Sequence, residues 1–132
     1  MKLTSDQAYE LSEQFTLFSE AVENYRYENW DDLSEDERTE LERIEWSLMN
    51  ASSEMITTAI DLTLDETELS FQQLCATTEK AQDAIKKINT VRKVINIAAS
   101  AVSLAGAILV NDYKAVLKET RQLIELSRNK GE

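Results

Sequence analysis

Residues 94–110 read VINIAASAVSLAGAILV, a run without a charge in a chain where 30% of residues are charged. Wound as an α-helix at about 100° per residue, Ile95, Ala99, Val102, Gly106 and Leu109 gather on one side. Ile97, Ala101, Leu104 and Ile108 gather on the opposite side. Asn96, Ser100 and Ser103 share a thin flank in line with Arg92. A helix apolar on two faces is buried in protein or in lipid. The small residues Ala98, Ala99, Ser103, Gly106 and Ala107 favour close approach of neighbouring helices. The run is slightly short of the ~20 residues of a membrane span, so a central helix wrapped by companions is the first expectation. Two others stand beside it. The face of Ile97, Ala101, Leu104 and Ile108 closes a homo-oligomer or receives a partner. Alternatively, the run enters a membrane.

Composition agrees with helices throughout. The 132 residues include no proline and only two glycines, Gly106 and Gly131, which is too few turn formers for a β or α/β protein of one-domain size. The expectation is a single all-α domain over residues 1–132: an elongated antiparallel bundle of three long helices and a shorter C-terminal fourth.

Start and stop signals place those helices at about 5–29, 34–62, 66–109 and 112–128. Thr4-x-x-Gln7 and Ser34-x-x-Glu37 have capping-box form. Ala8, Leu11, Phe15, Phe18, Val22 and Tyr25 step by three and four, a core stripe. Tyr9, Tyr27 and Trp30 lie beyond it and read as lids on the core. The second stripe is Leu41, Ile44, Leu48, Ala51, Met55, Thr58 and Leu62, widened by Trp46, Met49, Ile56 and Ile60. The third is Leu74, Thr78, Ala81, Ile85, Ile88 and Val91, with Cys75 beside it as a small buried hydrophobe. Asn111 suits the left-handed residue that ends a helix, and Asp112 can cap the next. The last helix turns Tyr113, Val116, Leu117, Leu123 and Ile124 inward; Arg128 and Lys130 suit its negative end, and Gly131 follows.

Charge is unevenly placed. Residues 1–68 hold 19 acidic and 4 basic residues, and residues 69–132 hold 6 and 10, within a net −11. Such a chain gains nothing from counterion release on nucleic acid, and an acidic membrane repels its first half. Lys86, Lys87, Arg92 and Lys93 form a basic collar before the apolar run, placed to pair with the acidic first two helices. Glu35, Asp36 and Glu40 are the candidate acidic docking face for a basic partner. One cysteine and no apolar run after Met1-Lys2-Leu3 point to a reducing, cytoplasmic location.

Catalytic residue types are scarce. Without histidine there is no His general base, no Ser-His or Cys-His nucleophile, and little prospect of a zinc or haem site. No glycine-rich phosphate loop is present. No cofactor is expected. The leading expectation is a non-enzymatic helical-bundle protein acting through protein–protein contacts, with a homo-oligomer as one form. The alternatives are a membrane-active protein of pore-forming type that inserts residues 94–110, and an acidic inhibitor or immunity protein for a basic partner.

Overall fold

The computed structural model describes residues 2–58, 60–88 and 90–128. Among them the chain forms five α-helices: α1 Ser5–Glu28, α2 Glu35–Thr57, α3 Phe71–Lys87, α4 Val91–Leu109 and α5 Tyr113–Arg128. A 3-10 turn at Trp30–Asp32 separates α1 from α2. The only β feature among the described residues is an isolated bridge between Lys2 and Thr63. The all-α class stands, but the expected third helix is two helices and the expected second is shorter.

Three helices open on complete capping boxes. The Thr4 hydroxyl accepts from Gln7 N (3.1 Å) while Gln7 Oε1 accepts from Thr4 N (3.0 Å). Ser34 with Glu37 and Ser70 with Gln73 repeat the arrangement. Asp112 Oδ1 accepts from Ala115 N at 3.1 Å at the start of α5. Asn111 takes φ 61°, the left-handed turn its type tolerates. The expected Lys130–Gly131 helix end lies outside the described residues.

The α2–α3 connection corrects two boundaries. α2 stops at Thr57 instead of residue 62, and α3 starts at Phe71 instead of residue 66. Between them Leu62 and Leu64 are buried and Ile60 half-buried, while Asp61, Thr63 and Asp65 are exposed. That period of two belongs to extended chain, and it pairs with the N-terminus: Leu3 N donates to Leu62 O at 3.0 Å. Asp65 Oδ1 accepts from both Thr67 N and Thr67 Oγ1, closing a local turn instead of capping a helix. Hydrogen bonds to its charged form hold the Asp65 pKa below the usual carboxylate range.

The second correction falls at residues 88–90. Ile88 (ψ 132°) and Thr90 (ψ 116°) are extended and end the helix that was expected to run on to residue 109. An unbroken helix over 66–109 would be ~66 Å long, while α1 spans ~36 Å, so half the rod would lack a neighbour. The break lets α4 turn back into the bundle.

One core takes side chains from all five helices, including Phe15, Phe18, Leu41, Leu48, Leu74, Ile85, Ile95, Leu104, Val116 and Leu123. α1 packs chiefly on α2 and α3, α2 also on α4, and α4 and α5 on each other, with α5 returning to α3. α4 therefore has α5 on one side and α2 on another. Ile97, Ala101, Leu104 and Ile108 are at most 1% exposed. This face, expected as a surplus for partner, oligomer or membrane, is core in this fold, because two neighbours cover it. The side of α4 left to solvent is Asn96, Ala99, Ser103 and Gly106, part of which the helical wheel assigns to the core. Ala99, Ser103 and Gly106 thus do not mediate close helix approach; a Cβ at Gly106 would meet nothing within 4 Å.

Candidate interaction surface on the first helical hairpin

A polar seam zips α1 to α2. Ser52 Oγ donates to Ser12 O at 2.7 Å and lies 2.7 Å from Thr16 Oγ1; Ser19 Oγ donates to Glu45 O at 3.0 Å. These short side chains bring the two backbones close. At the turn end the seam finishes in a buried ion pair. Arg26 Nε donates to Glu45 Oε2 at 2.5 Å and Nη2 to Oε1 at 3.0 Å. Both residues are over nine-tenths buried. The carboxylate's hydrogen bond, opposed by burial, raises the Arg26 pKa further, so the guanidinium stays charged. Periodicity alone does not predict this pair, although Glu45 falls between Ile44 and Trp46 near the core stripe.

The pair anchors an aromatic stack outside it. The Arg26 guanidinium lies over the Tyr27 ring, 4.7 Å from its centroid. Tyr27 stacks on Trp30 at 6.1 Å and 14°. The Arg38 guanidinium covers the Trp30 ring at 4.5 Å, and its Nε and Nη2 both donate to Trp30 O. Cation–π contact and offset stacking hold these rings in place at the surface. Tyr27 is 60% exposed and Trp30 41%, so they are not lids on the core as expected.

Trp46, Met49 and Ile56 also depart from expectation. They sit on the solvent side of α2 instead of widening its core stripe, Trp46 at 64% exposure. Seven of the nine exposed large hydrophobic residues described belong to the hairpin of α1, its turn and α2. A groove of about 310 Å³ runs between the helices here. Tyr27, Trp46 and Met49 supply its apolar wall, Glu20, Glu23 and Glu42 its acidic rim, and Arg26 with Glu45 its floor. The exposed Trp46 indole, with acids around it, is equipped to receive a cationic side chain with an aliphatic stem.

The proposed acidic docking residues divide. Glu35 and Asp36 are exposed in the first turn of α2, beside the Trp30–Asp32 turn in the chain. Their charge also suits the positive end of the helix. Glu40 is half-buried, with Oε1 3.8 Å from Arg92 Nη2 on α4. It belongs partly to an internal contact by which Arg92 of the basic collar reaches α2.

Elsewhere the chemistry is muted. Among the described residues no three of His, Cys, Asp or Glu come together as a metal site. Burial, with Glu10 and Glu79 nearby, pushes the Cys75 thiol up to about 12. α4 is long and apolar enough to cross a membrane by length and composition, but its face of Ile97, Ala101, Leu104 and Ile108 builds the core. No family model, no curated protein and no solved structure matches this chain.

Proposed function

We propose that the protein is a non-enzymatic interaction module whose α1–α2 hairpin receives a basic segment of a protein partner, as an acidic inhibitor does. The observation that carries this reading is the groove of Tyr27, Trp46 and Met49 rimmed by Glu20, Glu23 and Glu42. Tyr and Trp are the side chains that most often dominate a protein interface, because they bury much area and lose little freedom. The Arg26–Glu45 floor and the Arg38–Trp30 contact hold the hairpin end ready, so little ordering remains to be done on binding. The net −15 of residues 1–68 would steer a cationic partner to this end and turn away an acidic one.

Calorimetric titration with a short arginine–leucine peptide and its glutamate–leucine counterpart tests the reading. The arginine peptide is expected to bind, more weakly as salt rises, and the glutamate peptide not to bind. Trp46→Ala should cost about 2 kcal/mol of that affinity, and Glu42→Lys should also weaken it. Equal binding of the two peptides, or an arginine affinity untouched by Trp46→Ala, would refute it.

A further inference from the structure

A second cleft lies between α3 and α5 and has a different character. It encloses about 370 Å³, within the range of ~300–1,000 Å³ usual for small-molecule sites. α5 presents Leu117, Arg121, Ile124 and Arg128 to it, in steps of four, three and four, so apolar and cationic side chains alternate along one helical face. α3 supplies Thr77 and Lys80 across from them, and Leu69 is buried at one end. Ile124 remains 37% exposed here, the large apolar side chain of α5 that the bundle leaves uncovered.

Two features mark this cleft as more than a seam between helices. Lys80, Arg121 and Arg128 form no ion pair with a described residue, in a protein whose net charge is −11. The single acid in the lining, Glu68, already accepts from the Tyr113 hydroxyl at 3.1 Å. The second feature is a set of hydroxyls. Thr77 Oγ1 returns its proton to Gln73 O at 2.8 Å, the usual way a helical threonine is satisfied. Thr120 Oγ1 and Ser127 Oγ, in the opposite wall, are buried with no hydrogen-bond partner among the described residues, and Thr120 is only 1% exposed. Buried polar atoms are nearly always paired, and an orphan calls for an explanation.

We propose that this cleft binds a small amphipathic carboxylate, its apolar body against Leu69, Leu117 and Ile124 and its head between the cations of α5 and α3. A guanidinium presents two parallel N–H donors that match the two oxygens of a carboxylate. Both orphan hydroxyl oxygens are closed off from solvent, so they reach the head group only by a rotation of their side chains towards the cleft as it enters. A single negative charge fits better than a doubly charged phosphate, since Glu68 and the overall negative charge both oppose a second one. The site shares no residue with the α1–α2 groove, so the two proposals stand or fall separately.

The test uses the full chain and three probes followed by backbone NMR: octanoate, octanol and acetate. Octanoate should give saturable shifts centred on Leu117, Thr120 and Ile124. Octanol, with the same body and no charge, should bind about tenfold more weakly, equivalent to ~1.4 kcal/mol. Acetate, with the head alone, should not saturate. Arg121→Gln should weaken octanoate and leave octanol unchanged, and Thr120→Val, which keeps the side-chain shape, should also weaken octanoate. The proposal is overturned if octanoate gives no saturable shifts, if they spread evenly over all five helices, if octanol binds as well as octanoate, or if neither variant changes octanoate affinity.

Discussion

Glu45 fixes Arg26 in place, its carboxylate facing a buried guanidinium with two hydrogen bonds. Removing one partner of such a pair strands a charge away from water, whereas replacing both with apolar groups of similar volume is often close to neutral. Glu45→Gln is therefore expected to cost about 3 kcal/mol in urea denaturation. The double replacement Arg26→Met, Glu45→Leu should cost less than either single change. Cys75 carries the complementary case, a neutral group that resists ionisation. Its pKa in the folded chain is about 12 against an ordinary 9.0. A thiol whose folded value is raised adds stability that is complete below pH 9 and is lost as pH climbs towards the folded value. The buried Tyr25 phenol, raised by burial and by Glu37 and Asp32, acts in the same direction. Denaturation at pH 7 and pH 10 should show a loss on the order of 1 kcal/mol from the thiol. Cys75→Ala should lack that part of the loss, and an identical pH dependence in the variant would contradict this assignment.

At the level of elements, the sequence was readable where apolar residues recur every three or four positions and a cap precedes them. The α1 stripe from Ala8 to Tyr25, the α2 stripe from Leu41 to Met55 and the capping boxes at Thr4 and Ser34 are all present. The Ser70–Gln73 box was equally visible and marks the true start of α3. It is obscured because Asp65 and Glu68 have the spacing of a cap pair five residues earlier, while Ile60, Leu62 and Leu64 lengthen α2 when only their apolar character is counted, although their spacing is two. The break after Ile88 carries no glycine or proline; the β-branched Ile88, Thr90 and Val91 and the low helix propensity of Asn89 weaken the helix there. The candidate surface was harder to read. Helical periodicity places Trp46 at the margin of the buried face, and which side of that margin it takes depends on α4 and α5 lying elsewhere. Gly106 offers a check on the exposed side of α4. Its site is helical and open to solvent, so a methyl group there has room and removes backbone freedom from the unfolded chain. Gly106→Ala should raise stability by about 1 kcal/mol in denaturant titration. A loss instead would mean that this strip of α4 is covered in solution.

Over the whole molecule, charge is segregated. The acidic residues of 1–68 repel one another across α1 and α2, and the surplus of basic residues in 69–132 is too small to neutralise them. Salt should accordingly stabilise the free protein, raising its melting temperature by a few degrees as the Debye length falls from ~30 Å at 0.01 M to ~8 Å at 0.15 M. The same salt should weaken capture of a cationic peptide, so stability and binding move in opposite senses along one titration. A melting temperature that falls with salt would show that attraction between the halves outweighs repulsion within the first.

The placement of the tryptophans has a spectroscopic corollary. Trp30 and Trp46 are the only indoles in the chain, and both are exposed on one hairpin, Trp30 in its turn and Trp46 midway along α2. Intrinsic fluorescence will therefore be red-shifted in the native protein and nearly blind to the melting of α3, α4 and α5. The same emission becomes a reporter for anything that settles on the hairpin, with quenchers such as iodide or acrylamide gauging how far a guest shields the indoles.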